Sequence, residues 1–470
     1  MIDTTLTNAA RLLVCRWMAS AVVLLVAAAA GPGFAVARSA VAGPAADVAT
    51  FLQERGIDQA QRRGLEAATE WGDEQQKLAI RVLSRLAAPA ELATAWRAAA
   101  LEPAADAPVP VGDALVKIRG RATFAAPVRL TPEQEQLFAQ PSFDVVRIVA
   151  GDRVVDVLVK AAPKAWPRWQ TIDEPATVVG LPLSAGVGPT PTGAPDGAAV
   201  WPEARPGLVL AAAGIAWEPA TPLGSLGMNY ALFDTVRDGG KLEPGDAEAF
   251  YAMLAAVAGD EGRREPAGGD QILKLIDPGQ KWYAAHRGEP VTITGIVRKA
   301  TKIVIDEPYR REQLGTDHYW ELFVFVNTPL IRIDGQDQDT YPIVCCVRDL
   351  PPGMPTGDSI SEGVRIDGFA LKRYGYPLAD VSIISSQGDR EEKGKRRETA
   401  LLVARRAEWR KPPSTAEASS VLSWIFAGLG AAIAAAVLYG VWSSNRAARR
   451  AEAQARSELP DRIELPGDRS

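Results

Sequence analysis

The stretch "LLVARRAEWRKP", residues 401–412, lies shortly before a long apolar run and decides how the chain is organised. Its basic residues would suit a tether on an anionic lipid surface, whereas its alternating pattern is typical of a β-strand. An earlier stretch, "LVLAAAGIAWEP" at residues 208–219, has the same order of aliphatic residues, Trp and Pro. We therefore predict that residues 401–412 are the closing strand of a second β module, in which Leu401 and Val403 point inward.

Further matches place the same β pattern twice in the chain. The five pairs are "GDALVKIRG" with "GEPVTITG", "EQEQLF" with "REQLG", "FDVVRIV" with "YWELFVFV", "VLVKAAP" with "CCVRDLP", and "TVVGLPL" with "RIDGFAL". Upstream of each module, Gly72-Asp73 and Gly245-Asp246 precede an apolar stripe, as a capped helix would begin. The repeat predicts two units, each with short helices followed by a five-stranded β module, in which Trp217 and Trp409 cover equivalent barrel ends.

The strand pattern indicates the type of β module. Five short strands, with a loop or helical turn after the third, resemble the small Greek-key barrel of an OB-fold, and two β-sandwich halves are the alternative. We predict an α+β fold: two tandem OB-like barrels, each preceded by short helices, and a C-terminal transmembrane helix. This arrangement resembles bacterial single-pass envelope proteins with duplicated β modules. That resemblance implies a location and an architecture, but no activity.

The N-terminal segment, residues 1–37, has the layout of a secretory signal peptide. Arg11 and Arg16 precede an apolar run at residues 18–30, Gly and Pro follow, and Ala35-Val36-Ala37 offers a small-residue cleavage site. An uncleaved anchor is the alternative interpretation. In either case, the residues that follow are expected to cross the membrane.

A second apolar segment, residues 421–442, is predicted to be a transmembrane helix. At ~1.5 Å per residue it would span about 33 Å, enough for the hydrocarbon core. The arginines after it, from Arg446 to Arg456, place the tail at residues 443–470 in the cytoplasm, where we expect it to be disordered. The body is then extracytoplasmic, the lipid bilayer is a partner, and the spacing of Gly428 and Ala432 permits oligomerisation through the helix.

These patterns divide the chain into consecutive segments. They are a signal peptide at 1–37, a helical segment at 48–110, a first β module at 111–219, a helical segment at 220–286, a second β module at 287–412, a transmembrane helix at 421–442 and a tail at 443–470.

Residues with chemical potential are few. The histidines, His286 and His318, are too scattered to indicate a metal or triad site. Neighbouring side chains of a strand face opposite sides, so Cys345 and Cys346 are expected to place one thiol in the core and one outward, without a disulfide. Cys15 lies in the N-terminal apolar region. The sequence contains none of the common hydrolase, nucleotide-binding or metalloprotease motifs.

Three features are candidate binding sites. The loops before the closing strands, residues 184–207 and 385–399, differ in charge and are expected to be solvated. The acidic stretch "IDGQDQDT" at 333–340 fits a hairpin tip better than a calcium site. A basic and aromatic set in the second module is the feature closest to a nucleic-acid surface: Lys299, Lys302, Arg310, Arg311, Lys372, Arg373, Tyr374 and Tyr376.

Acidic residues interrupt that set, and the net charge of −5 supplies no bulk attraction for nucleic acid, so none is expected as a partner. Our hypothesis is a non-catalytic, membrane-anchored envelope protein that binds or scaffolds an envelope protein or polymer, with no catalytic residue, cofactor or metal assigned. The alternatives are an envelope hydrolase using paired carboxylates and an OB-type binder of nucleic acid or oligosaccharide.

Overall fold

The structure is a computed structural model of the chain. It describes residues 47–68, 71–104, 107–109, 112, 114–185, 188–191, 194–199, 207–262, 264–265, 268–276, 282–333, 336–377, 396–411 and 415–457. The predicted signal peptide, including Cys15, lies outside these residues.

The first unit consists of four short helices followed by a β module that contains one helix. Its elements are α1 Val48–Gln53, α2 Gln59–Glu66, α3 Asp73–Arg85, α4 Ala90–Ala99, β1 Val116–Arg129, α5 Pro132–Phe138, β2 Ser142–Ala150, β3 Arg153–Val159, β4 Gln170–Ser184 and β5 Leu208–Trp217.

The second unit begins with a mixture of 3₁₀ and α-helices and is followed by the C-terminal helix. The 3₁₀ helices are Gly224–Leu226, Tyr230–Thr235, Pro244–Asp246 and Val257–Gly259. The other elements are α6 Ala247–Ala256, α7 Gly269–Ile276, α8 Trp282–His286, β6 Pro290–Val304, α9 Pro308–Leu314, β7 His318–Ile333, β8 Gln336–Asp349, β9 Glu362–Pro377, β10 Arg396–Arg410 and α10 Thr415–Ser457.

Each set of five strands closes into a barrel, as predicted, and neither forms a sandwich. The neighbour order is β1-β2-β3-β5-β4 in the first barrel and β6-β7-β8-β10-β9 in the second. The only parallel contacts within these barrels are β3 with β5 and β8 with β10. Residues 401–410 of the stretch are confirmed as a strand, because β10 pairs with both β8 and β9 and closes the second barrel.

The helical turn of each module follows the first strand, whereas the sequence interpretation placed it after the third. Thr131 accepts a hydrogen bond from the Gln134 backbone N–H, and Pro132 occupies the first turn, so α5 starts directly after β1. In the second barrel, Pro308 occupies the first turn of α9 in the same way, but the preceding Glu307 makes no side-chain capping hydrogen bond. These helices form where they do because capping residues and proline follow the first strand.

Two close contacts recur at equivalent places in the two barrels. A Cβ atom on Gly120 would lie 2.3 Å from the Val149 carbonyl oxygen, and one on Gly295 would lie 2.3 Å from that of Phe325. Only glycine permits this approach of neighbouring strands. The shared strand order and glycines agree with the repeat pattern, while a duplicated origin stays a prediction.

A tryptophan closes one end of each barrel through the same hydrogen bond. The Trp217 Nε1–H donates to Glu174 Oε2 at 2.8 Å, and the Trp409 Nε1–H donates to Glu362 Oε2 at 2.8 Å. Both indole rings pack against the interior cluster of their own barrel. The predicted equivalence of Trp217 and Trp409 is therefore confirmed.

Side chains fill both barrel interiors, and helices cover one outer face of each barrel. Interior residues come from all five strands, for example Ile118, Ile148, Val157, Val178 and Leu210 in the first barrel and Ile293, Val324, Cys345, Ile366 and Leu402 in the second. Leu401 and Val403 pack outward under α6, so their predicted inward orientation is wrong. The reason is that both faces of β10 are buried, which removes the polar-apolar alternation that would fix the orientation.

The adjacent cysteines also lie on opposite faces of a strand that is buried on both sides. Cys345 lies in the barrel interior and Cys346 lies in the outer cluster under α6, and both thiols are free and fully buried. Their opposite orientations are as predicted, but the outward thiol is covered. Burial raises the pKa of both thiols.

The C-terminal helix α10 is long and apolar enough to cross a membrane between Trp424 and Gln454, and the residues of this stretch are exposed. The helix continues to Ser457. The described part of the tail is therefore helical, where the sequence interpretation expected disorder. Arg446 lies over the Trp442 ring at 4.9 Å, next to Tyr439 on the same helix face.

Candidate functional site

A cleft of about 860 Å³ lies between the first barrel and the helices of the second unit. We call it the inter-barrel cleft. One wall consists of α4, the start of β1, and parts of β4 and β5. The other consists of the segment 226–235 and α6. The volume falls in the range of ligand-binding cavities.

Small side chains make up much of the surface of the cleft. On the first barrel they come from β5, and on the second unit they come from the segment after β5 and from α6. They are Ala211, Ala212, Ala213, Gly214, Ala216, Ala231, Ala252, Ala255 and Ala256. Larger side chains also line the cleft, among them Trp96, Lys117 and Leu232.

Four contacts join the two walls beside the cleft. The Lys164 backbone N–H donates to Asp234 Oδ2 at 2.9 Å, and Lys164 Nζ donates to the Asp234 carbonyl at 2.8 Å. The Trp217 backbone N–H donates to Asn229 Oδ1 at 2.9 Å, and the Trp217 ring packs against Tyr230 with centroids 5.7 Å apart. These contacts hold the walls at a defined separation.

Three of the charged side chains that line the cleft have partners. Glu248 forms an ion pair with the buried Arg310, Asp234 holds Lys164, and Lys117 contacts Glu102 at 2.6 Å.

The β5 edge in the cleft has no strand beside it. β3 ends at Val159, opposite Ala212, and β4 pairs with Ala212 and Ile215 but skips the two residues between them. Ala213 and Gly214 are thus exposed strand residues without a register partner on either side. Unpaired strand edges bind other extended segments.

The outer face of β2 and β3, a frequent ligand surface of OB-folds, is closed in the first barrel. Arg147 forms a two-point ion pair with Asp156 at 2.8 and 2.9 Å, and both side chains are about 95% buried. Burial raises the pKa of Asp156, against the opposing hydrogen bonds from Arg147. By ladder register, the counterparts in the second barrel are Phe323 and Val344, an apolar pair.

The two loops before the closing strands, residues 184–207 and 385–399, are described to different extents. In the first loop, Ala198 and Ala199 pack against Phe124 and Trp169, and the Ala199 backbone N–H donates to the Trp169 carbonyl at 3.1 Å. The expectation of a solvated loop is therefore wrong for this part. Most of the second loop, residues 385–395, lies outside the described residues.

The basic and aromatic set does not form one exposed surface. Three of its cations hold specific partners: Lys372 with Asp246 at 2.5 Å, Arg373 with Glu398 at 2.6 Å, and Lys299 with Asp358 at 3.2 Å. Arg310 is buried with Glu248, Arg311 donates to the carbonyls of Ile305 and Asp306, and Tyr374 and Tyr376 are buried. Stacking on bases requires exposed rings, which these tyrosines do not supply.

The acidic stretch forms the end of the β7–β8 hairpin, as the sequence interpretation favoured. Ile333 pairs with Gln336, Asp337 and Asp339 are exposed, and Asp334 lies outside the described residues. Within the described parts of the chain, no group of His, Cys, Asp or Glu side chains is arranged to hold a metal ion.

Sequence reasoning missed the inter-barrel cleft. Its walls come from separate segments that only the packing of the two units brings together. The available signal was a difference between the copies: Ala213 and Gly214 in β5 stand where β10 has Arg405 and Arg406.

No protein-family model and no curated protein sequence matches the chain. Among solved structures, it is similar to the wild-type single-stranded DNA binding protein from Thermus aquaticus and to a deletion mutant of that protein. The identities are 11% and 12%, and the alignments cover 64% of this chain and 93% and 97% of those chains. Because the TM-scores are 0.15 and 0.14, the likeness carries no argument about this protein.

Proposed function

We propose that this protein is a non-catalytic, membrane-anchored binding protein of the cell envelope, and that it holds its partner in the inter-barrel cleft. The observation that carries the proposal is the cleft itself, with many small side chains on its walls and several charged groups that already have partners. Filled barrel interiors support it, because they leave little room for a ligand inside either barrel.

The membrane part of the proposal rests on the two apolar segments. The signal-peptide pattern at residues 1–37 would export the body, and α10 would stop its transfer and anchor it. The cleft would then face the extracytoplasmic space, where it could meet an envelope protein or polymer.

Site-specific photo-crosslinking tests the proposal. A benzophenone amino acid replaces Ala231, which lines the cleft, in the full-length protein in cells that make it. A second position, the exposed Gln136 on α5, serves as the matched position outside the cleft. We expect a defined crosslinked product from position 231 and none from position 136.

A blocking variant makes the result specific to the cleft. Ala213→Arg with Gly214→Arg introduces the residues that β10 carries at the equivalent positions, and a Cβ at Gly214 has no heavy atom within 4 Å. The control, Gln53→Arg with Gln136→Arg, adds the same charge at exposed helix positions. Crosslinks that survive the blocking variant, or that form equally from both positions, would refute the proposed site.

A further inference from the structure

We propose that the inter-barrel cleft binds an extended peptide segment, which adds to the first barrel as a strand beside β5. This inference rests on the proposed function, because it names the class of partner for the same cleft. It would make the partner a polypeptide with a flexible or terminal segment, rather than a carbohydrate polymer or a lipid.

The first observation is the early end of β3. In the second barrel, β8 continues beside β10 as far as the pair Asp349 and Arg406. The corresponding pair in the first barrel would be Ala161 and Gly214, but β3 stops at Val159 and Ala161 only lines the cleft. The first barrel therefore lacks a strand partner at a place where the second barrel has its own.

The second observation is the hydrogen-bonding state of the β5 edge. At Trp217 the edge is satisfied by Asn229 from the second unit. Between Ala212 and Trp217, within the described chain, no backbone hydrogen bond from outside the barrel ladders reaches β5. This edge is about 13 Å long at ~3.3 Å per residue, which matches about four residues of an extended peptide.

The third observation is the chemistry of the facing surface. Ala252, Ala255 and Ala256 of α6 leave space opposite the edge, whereas long side chains would block it. Main-chain hydrogen bonds supply affinity in strand addition, and pockets for alternate side chains supply specificity. A carbohydrate or a lipid tail would not match a row of backbone donors and acceptors at strand spacing.

The second barrel shows which side chains can occupy the positions equivalent to Ala213 and Gly214. The Arg405 side chain there donates to the Asp260 carbonyl at 3.2 Å. Arg406 pairs with Asp349 of β8 in the strand register, and its side chain is exposed. Arginine at these positions is thus compatible with the barrel. The blocking variant Ala213→Arg with Gly214→Arg should preserve the fold and fill the cleft.

The test uses the full-length protein in phosphatidylcholine nanodiscs and a displayed library of random twelve-residue peptides. We expect peptides to be selected whose affinity falls at least tenfold with the blocking variant and not with Gln53→Arg and Gln136→Arg. If no selected peptide responds to the blocking variant, or none is selected, the inference is wrong.

A second measurement needs no variant of the protein. The selected peptides are N-methylated at one residue at a time, which removes single backbone donors. Strand addition predicts a loss of at least tenfold at alternate residues of a core of about four and little change at the residues between them. Equal sensitivity at neighbouring residues would overturn strand addition.

The two proposals fail in different ways. Crosslinks from position 231 that disappear with the blocking variant, together with a failed peptide selection, would leave the cleft as a binding site for another class of ligand. Absence of both would refute the binding site as well.

Discussion

Arg147 and Asp156 show how single residues distinguish the two barrels. The pair bridges β2 and β3 at a position where the second barrel has Phe323 and Val344. Removing two charges from water costs several kcal/mol per ion, which their attraction repays only in part. The apolar pair in the second barrel shows that this position does not require charge.

Exchanging the ion pair for its apolar counterpart should therefore be tolerated. We predict that Arg147→Phe with Asp156→Val keeps or raises the stability, by up to about 4 kcal/mol, whereas Asp156→Val alone costs about 3–5 kcal/mol because it leaves a buried guanidinium without its partner. Thermal unfolding of the full-length protein in detergent, followed by circular dichroism, measures both. A double variant less stable than the single one would show that the charges are needed together.

Lys372 and Asp246 form a second buried pair with the opposite electrostatic balance. Burial acts to raise the pKa of Asp246, but hydrogen bonds from Lys372 and from the backbone N–H groups of Glu243 and Arg237 outweigh it, so the pKa is lowered. A lowered carboxyl pKa contributes stability above the unfolded-state value and loses it as the pH falls through the folded-state value. This pair thus stabilises the contact between the 3₁₀ segment and β9 at neutral pH.

At the scale of elements, the sequence predicts the positions of the strands better than which face of the barrel their side chains occupy. The glycines that anchored the repeat, Gly120 and Gly295, stand where neighbouring strands approach too closely for a Cβ. Period-two alternation gave the positions of the strands. It could not assign Leu401 and Val403 to a face, because α6 buries the outer side of β10 as fully as the barrel buries the inner side.

The closing strand β10 should be essential for the second barrel. It contributes Ala400, Leu402 and Ala404 to the interior and two aliphatic residues to the outer cluster. Burial of these side chains is worth on the order of several kcal/mol, comparable to the stability of a small domain. We predict that a body fragment ending at residue 412 unfolds cooperatively. A fragment ending at residue 397 should lose the unfolding transition of the second barrel or aggregate.

Calorimetry and size-exclusion chromatography of the two fragments check this prediction. A matched control, Arg406→Gln with Arg410→Gln in the longer fragment, changes only exposed residues of β10, so we expect a shift below about 1 kcal/mol. Similar melting of the two fragments would contradict the role of β10 as a closing strand.

At the scale of the whole molecule, the candidate site depends on features that no local pattern records. The cleft exists because β3 stops at Val159 and because contacts such as Lys164 with Asp234 set the second unit beside the first barrel. Repeat matching aligned the two copies by what they share. The site lies where they differ, in the alanines and glycine of β5, so similarity alone could not locate it.

The orientation of the chain in the membrane gives the last prediction. Basic residues flank the apolar part of α10 on both sides, but those before it lie in β10 or directly after it, where Arg405 contacts Asp260 and Lys411 lies over the Trp409 ring at 4.9 Å. The arginines after the apolar part, beginning with Arg446, lie in the last turns of the same helix, and we expect them to be the cytoplasmic flank. An alkaline phosphatase reporter should therefore be active when fused after residue 412 and inactive when fused after residue 456. A cytoplasmic fluorescent reporter should give the opposite pattern, and changing Arg446, Arg449 and Arg450 to Gln should weaken the preference. If activity appeared only after residue 456, the body and its cleft would face the cytoplasm, and the proposed envelope partner would have to be replaced by a cytoplasmic one.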